Sequence, residues 1–418
     1  MKKLFFINES FENKTSYYLL AAFLIALPFE HFYSEILLTC FALHTLIHFK
    51  KSRLAALKNK ATWIVSSIFF LSLFTIFYSD YIAEGFKDVG HQLGILLFPI
   101  CLSVTNLDIQ KYKFSLLKIF AITCTATIVY LYIHAFLVIH YFHFPLLTIF
   151  SKSFINQNFS APIELHSTYL SMYVALSISI FLLFFFKKPG LKNIQNILFT
   201  AVLFAGLIQL SSRSVFIAMC LIIIIVIPAL LLHGKERLHF SVVSLVVFIV
   251  IISAIANIDS LRKRYVNDLE DDLSQTAVTP DLTETRMKRW VLELELIKQS
   301  PLIGYGGGAE KQVLKNKYFE EKFYRSYLVE LNAHNQYLSF LIKSGIVGLL
   351  WYLYILFFGF SRAIKKRDFL LLSFMILIAI VSVSENILDV NKGIFFYSFF
   401  FSLFLINPSK KIHSELAK

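Results

Sequence analysis

Apolar stretches separated by short polar clusters recur along almost the whole sequence. A helix needs about 20 consecutive apolar residues to cross a hydrocarbon layer about 30 Å thick, and repeated stretches near that length are typical of polytopic membrane proteins. The pattern therefore predicts an all-α membrane protein with about twelve transmembrane helices. The predicted spans are residues 17–28, 35–48, 61–78, 90–104, 114–139, 165–186, 194–210, 215–232, 240–255, 336–360, 369–383 and 393–406.

Lysines and arginines are distributed very unevenly between the two sides of this predicted bundle. With the N-terminus inside, the inner segments hold 22 cations and the short outer loops hold only four. Membrane proteins keep an excess of such cations in their cytoplasmic segments. We therefore predict that both termini are cytoplasmic. The first apolar stretch is interpreted as a retained helix, because no small-residue cleavage site follows it.

Three segments do not follow the helix pattern, and all three are predicted to lie on the outer side. Residues 140–164 contain a short apolar stretch of their own, and residues 384–392 are short and polar. Residues 256–335 are a much larger loop with 12 cations and 13 acids, a mixed charge that favours a folded segment over a basic tail. The predicted division is residues 1–255 with helices 1–9, the large loop, and residues 336–418 with helices 10–12 and a cytoplasmic tail.

Composition agrees with a membrane protein and argues against two other classes. The mean hydropathy is +0.67, and 57% of residues are hydrophobic while only 16% are charged. A soluble domain is about one quarter charged, because its surface must be solvated. The net charge of +13 does not indicate a nucleic-acid partner, because most cations lie in short clusters between apolar stretches and form no phosphate-binding stripe.

No metal site and no cofactor are predicted. The sequence has no HExxH motif and no Cys/His cluster, and Asp271 and Asp272 are adjacent carboxylates with no metal-ligand spacing. The four cysteines fall inside apolar segments, where they neither ligate metal nor staple a loop: Cys40, Cys101, Cys124 and Cys220.

Within the large loop, the sequence predicts an amphipathic helix over about residues 283–299. Asp281 and Glu284 have the spacing of a capping box, and Ser300-Pro301 ends the pattern. The predicted apolar face consists of Met287, Trp290, Val291, Leu294 and Ile297, with Arg286, Arg289 and Glu293 beside or opposite it. Such a helix can lie on the membrane surface or cover a cavity in the bundle, and it can equally be a packed loop helix with solvated charges.

A glycine-rich run, residues 304–308, follows this helix. No Lys-Ser/Thr pair follows the last glycine and no strand precedes the run, so neither a Walker loop nor a dinucleotide fingerprint is indicated. Dense glycines permit positive φ angles and close backbone approach. The run is therefore interpreted as a tight turn or as part of an anion site.

His334 and Asn335 lie where the large loop re-enters the membrane. Histidine is the side chain best suited to move a proton near neutral pH, although a lone histidine is more often structural. The pair lies just before Gly345-Ile-Val-Gly348, a small-residue face that favours close helix packing.

Arg213 lies in a Ser-Ser-Arg-Ser turn between two apolar spans. An arginine there must pair, reach the interface or face a polar cavity, so it is a candidate functional residue and equally a candidate interfacial anchor. Weaker candidates are Glu164 and His166 at the start of the sixth span, and His91 inside an outer-leaflet span.

Taken together, these motifs resemble the O-antigen ligase and polymerase superfamily. In chain order, the match consists of the Ser-Ser-Arg213-Ser turn, the Thr-Glu-Thr-Arg286-Met-Lys-Arg-Trp290 helix, the Ser-Pro-Leu-Ile-Gly304-Tyr-Gly306 turn, the Ala-His334-Asn335-Gln-Tyr-Leu segment and Gly345-Ile-Val-Gly348. Order and spacing agree over most of residues 160–360, whereas the first four helices match only in hydropathy.

This resemblance implies a GT-C-like membrane fold and a metal-independent, inverting glycosyltransferase of the bacterial inner membrane with its active face in the periplasm. Such enzymes take a glycan from undecaprenyl diphosphate and give it to the lipid A core or to another acceptor. Transferred to this chain, Arg213 and Arg286, with Arg289 beside them, are expected to bind the diphosphate. His334 is expected to act at the acceptor hydroxyl or to help hold the leaving group.

The sequence leaves several functions open. The acceptor can be the lipid A core, a second lipid-linked repeat unit for a polymerase, or a protein for an O-oligosaccharyltransferase. A transporter of an envelope precursor is the alternative from another class. Internal repeats and several charges at mid-membrane depth are typical of transporters. The sequence shows no repeat and one large asymmetric loop, which favours the enzyme.

Overall fold

The computed structural model describes residues 4, 6–187, 194–267 and 284–406. Within these ranges the chain forms helices joined by turns, and it contains no β-strand. The predicted all-α class is therefore confirmed. The predicted cytoplasmic tail after residue 406 lies outside the described residues.

The described residues of the first half of the chain form eight α-helices. They are α1 (Phe11–Ala26), α2 (His31–Ile47), α3 (Lys60–Thr75), α4 (Ile82–His91), α5 (Leu93–Val104), α6 (Ile109–Tyr141), α7 (Gln157–Ser160) and α8 (Ser167–Lys187). Short 3-10 turns interrupt the connections, as in Lys51–Lys58, Ile76–Tyr78 and Leu146–Phe150.

The second half adds eleven α-helices within the described ranges. They are α9 (Ile194–Leu210), α10 (Arg213–Leu221), α11 (Ile227–Leu231), α12 (Gly234–Asn257), α13 (Asp259–Arg262), α14 (Arg286–Gln299), α15 (Ala309–Glu320), α16 (Tyr324–Val329), α17 (Gln336–Lys366), α18 (Phe369–Val381) and α19 (Asn391–Leu405). The π-helical turn Ile222–Val226 joins α10 to α11.

Every predicted span overlaps at least one helix, but fewer helices are long and apolar enough to cross a membrane. By these two criteria the described ranges contain six candidate spans, or seven if α2 and the following 3-10 turn, which meet at 120°, form one broken span. Three further apolar helices, α9, α18 and α19, are shorter. Several apolar helices thus indicate a membrane protein, while twelve crossings and the GT-C-like fold stay predictions.

Helices α8 and α19 form the centre of the bundle. Nearly all residues of α8 up to Phe181 are buried, and α19 is buried from Lys392 to its end. A helix that is apolar on every side is stable only when other helices surround it. Because both helices begin at the same end of the bundle as the loop 382–390, they place the chain around His166 and around that loop beside each other.

Polar contacts connect the loops in two separate groups. At one end, Asn106 donates to the carbonyl of His48 at 2.8 Å and Arg367 donates to the carbonyl of Ala229 at 3.4 Å. Asn106 and Arg367 lie in predicted inner segments, and His48 and Ala229 lie at the predicted inner ends of their spans. The predicted outer segments meet at the opposite ends of the same helices. This grouping fits the predicted alternation, and the side that faces the cytoplasm stays a prediction.

The loop helix α14 corrects two sequence predictions. It begins at Arg286 with Thr285 as its N-cap, while Asp281 lies outside the described residues. Glu284 is not a capping-box partner, because its carboxylate accepts from the backbone of Arg325 and Ser326 at the start of α16. Glu284 therefore caps a different helix.

The buried face of α14 also differs from the prediction. Val291 and Leu294 are 42% and 45% exposed, while Leu292, Glu293 and Leu296 are buried, together with the correctly predicted Ile297. Leu292, Leu296 and Ile297 pack with residues of α15 and α17 in a small core of the loop. The buried face of α14 is therefore rotated by about one residue from the predicted apolar face, because α15 and α17 pack against that side. The helix α14 thus packs against α15 and α17.

The glycine-rich run is a tight turn built against a break in α17. Gly304, Gly306 and Gly308 all have positive φ angles, and Gly345 interrupts α17 with φ 60° and ψ −159°. The amide of Gly306 donates to the carbonyl of Lys343 at 2.9 Å. Gly345 therefore packs against the backbone of Leu302 and Ile303, a loop, where the sequence predicted close packing with another helix.

Candidate functional site

The loop 382–390 carries Glu385 into the end of the bundle that is predicted to be outer, between the loop helix α14 and the start of α8. The Oε2 atom of Glu385 lies 3.6 Å from Nδ1 of His334. Its Oε1 atom accepts a hydrogen bond from the Thr168 hydroxyl at 3.2 Å. The side chains of Glu385 and His334 are 13% and 28% exposed, so both are partly buried.

Three side chains that can carry positive charge lie near the Glu385 carboxylate. Burial alone raises the pKa of a carboxyl, but the neighbouring His334, His166 and Arg286 outweigh burial, so the pKa of Glu385 is lowered. Glu385 is therefore an anion that gathers these three candidate residues into one site.

Arg213 reaches the same region through the turn between α9 and α10. Ser211 has a positive φ of 49°, which reverses the chain sharply, and Arg213 is the first residue of α10. The hydroxyl of Ser214 lies 2.8 Å from the hydroxyl of Ser384, the residue before Glu385. The structure thus brings the Arg213 turn against the Glu385 loop.

Arg286 and Arg289 lie on the first turn of α14 but have different surroundings. The charge of Arg286 acts on Glu385, as described above. Arg289 donates to the carbonyl of Glu284 at 3.1 Å and acts on the buried Glu293, whose pKa is raised well above its usual value by burial and then by Glu310. Arg286 acts on both Glu385 and Glu293, whereas Arg289 acts on Glu293 and is bonded to the chain just before α14.

The weaker candidates differ in their positions relative to Glu385. His166 lies at the site, where its Nδ1 atom accepts from the amide of Thr168 at 3.3 Å. The side chain of Asn335 caps α17 by accepting from the amides of Tyr337 and Leu338. Glu164 is exposed at a turn with φ 53°.

His91 is not inside a span as predicted. The helix predicted to begin at residue 90 begins at Leu93, and His91 ends the preceding helix α4. Its side chain lines a separate surface pocket with His31 and Lys392. The sequence pattern joined two short helices that the chain separates at Gln92.

A buried polar network contacts the residues on both sides of His334. Glu310, on the first turn of α15, accepts from the amide of Ala333 at 3.1 Å and from the side chain of Asn386 at 2.8 Å. Lys343 lies 3.5 Å from Glu310 and 2.7 Å from Asp389. This network connects α15, α17 and the loop 382–390, and it fixes the chain on both sides of His334.

Sequence reasoning missed Glu385, Glu310 and Asn386. A usable signal existed for Glu385, because an acid in a short loop between two apolar spans needs a partner for the same reason as Arg213 does. Glu310 and Asn386 carried no such signal. Among the described residues, no group of three or more His, Cys, Asp or Glu side chains could hold a metal ion.

These features define a class: a helical membrane protein whose loop end carries arginine, histidine and a paired carboxylate around one partly covered site. The model of a known family, described as O-antigen ligase, matches residues 197–353 of the chain. That segment contains Arg213, Arg286 and His334, and over it the resemblance to the O-antigen ligase superfamily is confirmed. A comparison with curated proteins found no match. The family match indicates a role in glycan transfer during O-antigen or polysaccharide processing.

Proposed function

We propose that this protein is an inverting, metal-independent glycosyltransferase of the inner membrane. In this proposal it moves a glycan from undecaprenyl diphosphate to an acceptor on the periplasmic face, and the lipid A core is the preferred acceptor. The observation that carries the proposal is the convergence of His334, Arg286 and the Arg213 turn on Glu385.

The arginines suit the donor. When the glycan leaves, negative charge gathers on the diphosphate oxygens, and guanidinium groups match phosphate geometry and keep their charge at every physiological pH. Fixed cations aimed at the developing charge stabilise the transition state because they need no reorganisation during the reaction. Arg286 and Arg213 take this role, and Arg289 supports the first turn of α14.

His334 suits the acceptor. The acceptor hydroxyl oxygen attacks the anomeric carbon, and the bond from that carbon to the diphosphate oxygen breaks with inversion. Nε2 of His334 takes the hydroxyl proton, and undecaprenyl diphosphate leaves with the bonding electron pair. In this scheme Nδ1–H of His334 points towards the Glu385 carboxylate, which leaves Nε2 free to accept the proton, and the negative charge of Glu385 stabilises the imidazolium that forms.

A deletion strain tests the reaction and its side. Loss of the whole glycan ladder on lipopolysaccharide, with lipid-linked glycan accumulating on the outer face, supports ligation. A band with a single repeat indicates the polymerase alternative, and an unchanged ladder with underglycosylated protein indicates the protein O-oligosaccharyltransferase. Accumulation on the inner face indicates the transporter and overturns the enzyme proposal.

A further inference from the structure

The backbone of His334 is in an unfavourable conformation. Its φ angle is +45°, in the left-handed region that residues other than glycine seldom occupy. Such conformations persist only where the surroundings impose them, and they are concentrated at functional sites. The residues that impose this conformation are therefore candidates for controlling where the imidazole lies.

Side chains hold the backbone on both sides of His334. Trp290 donates its indole N–H to the carbonyl of Ala333 at 3.2 Å, and the amide of Ala333 donates to Glu310 at 3.1 Å. The amide of His334 itself donates to the side chain of Asn332 at 3.1 Å. The amide of Asn335 donates to the side chain of Asn386 at 2.8 Å. We call these four bonds the backbone clamp.

Glu310 is the member that connects the clamp to the membrane helices. Its side chain is 7% exposed, and its Oε1 atom accepts both from Ala333 and from Asn386. Its Oε2 atom accepts from the hydroxyl of Ser339 and lies 3.5 Å from Lys343, both on α17. A buried carboxylate with this many donors is held in one position, so the atoms bonded to it are fixed as well.

We propose that Glu310 is a positioning residue for the transfer reaction: through the backbone clamp it holds His334 in its left-handed conformation, with the imidazole between Glu385 and the acceptor. The inference rests on the proposed function of His334. Glu310 does not touch substrate in this scheme. Its loss should change the geometry of proton transfer, where an error of about 1 Å can cost about 100-fold in rate, and should leave donor binding unchanged.

The test compares two substitutions at this position with matched controls, in the full chain in nanodiscs. Glu310→Met has similar volume but no acceptor, whereas Glu310→Gln keeps an oxygen for Ala333 and Asn386. Trp290→Phe removes one clamp bond at the other end and serves if Glu310→Met does not fold. Tyr337→Phe is the control, because it removes a hydrogen bond from α17 to the carbonyl of Ala379 outside the clamp.

The measured quantities are kcat and KM for the undecaprenyl-diphosphate-linked glycan extracted from the deletion strain, and the Kd for undecaprenyl diphosphate. We expect kcat of Glu310→Met to fall about 10- to 100-fold with KM and Kd within about twofold of the wild type. The kcat of Trp290→Phe should also fall. The kcat of Glu310→Gln and of Tyr337→Phe should stay within about threefold of the wild type, because both variants keep a side-chain oxygen at position 310 that accepts from Ala333.

A double substitution separates this inference from the proposed function. If Glu310 acts through His334, adding Glu310→Met to His334→Gly should lower kcat no further, because coupled residues are not additive. Additive losses, equal losses for the Met and Gln variants, or normal kcat in both Glu310→Met and Trp290→Phe would overturn the positioning role. Normal turnover in His334→Gly alone would instead overturn the proposed function.

Discussion

Nδ1 of His334 and Oε2 of Glu385 lie 3.6 Å apart, although His334 comes just before α17 in the sequence and Glu385 just after α18. The connection requires both chain segments to meet at one end of the bundle. It gives the histidine a defined ring orientation, because one nitrogen faces a carboxylate and the other faces away from it.

The first prediction concerns the imidazole of His334. Because φ at this position is positive, His334→Ala would combine loss of the ring with backbone strain, whereas His334→Gly removes the ring without that strain. We expect His334→Gly to lower the transfer rate about 10²- to 10⁴-fold, the usual contribution of a general base, and added imidazole to restore part of it. His334→Gln should remain inactive, since an amide cannot shuttle a proton. Near-normal transfer by His334→Gln would reduce the residue to a positioning role.

The second prediction concerns the charge of Glu385. Its pKa in the folded protein is lowered below the ordinary 4.5, so its ionised form stabilises the folded state above about pH 4.5, and this stabilisation is lost as pH falls through the lowered value. Glu385→Gln should therefore lower the thermal midpoint at pH 7, with a loss of about 1–3 kcal/mol for a charged hydrogen-bonding group. The gap between the two proteins should narrow below pH 4.5. A gap that is constant down to strongly acidic pH would contradict the lowered pKa of Glu385.

The third prediction concerns Arg286. Substitution by lysine keeps the positive charge but removes the planar fork that binds two phosphate oxygens. Each hydrogen bond to a charged group contributes about 1.5–3 kcal/mol, so Arg286→Lys should lower kcat/KM about tenfold or more. Arg325→Lys, at an exposed position of the same loop, is the control and should behave as the wild type. Full activity of Arg286→Ala at normal protein level would exclude contact of this residue with the donor.

The fourth prediction concerns the break in α17. A Cβ atom at Gly345 would lie 2.3 Å from the backbone of Leu302, and the φ angle of +60° adds strain. Gly345→Ala should therefore destabilise the protein by more than about 1 kcal/mol, measured as a lower thermal midpoint in detergent. Gly90→Ala is the matched control, because a Cβ there meets nothing within 4 Å and alanine favours a helix. Equal midpoints for the two variants would mean that the loop 301–306 can move away.

The sequence by itself determined the all-α membrane class and the resemblance to the O-antigen ligase superfamily. Hydropathy and the positions of the charges are local properties that depend on the solvent around each helix, so each predicted span overlaps a helix. The motifs around Arg213, Arg286 and His334 were likewise readable one at a time, and the family match includes all three.

Only the tertiary structure decided which of these residues meet. Glu385 became part of the site because α18 and α19 return its loop to His334, and no local pattern encodes that contact. The buried face of α14 was also decided by its partners, since α15 and α17 cover Leu292 and Leu296 and leave Val291 exposed. The physical reason is the same in both cases: burial and pairing energies depend on neighbours that are distant in sequence, whereas periodicity reports only what one helix could bury.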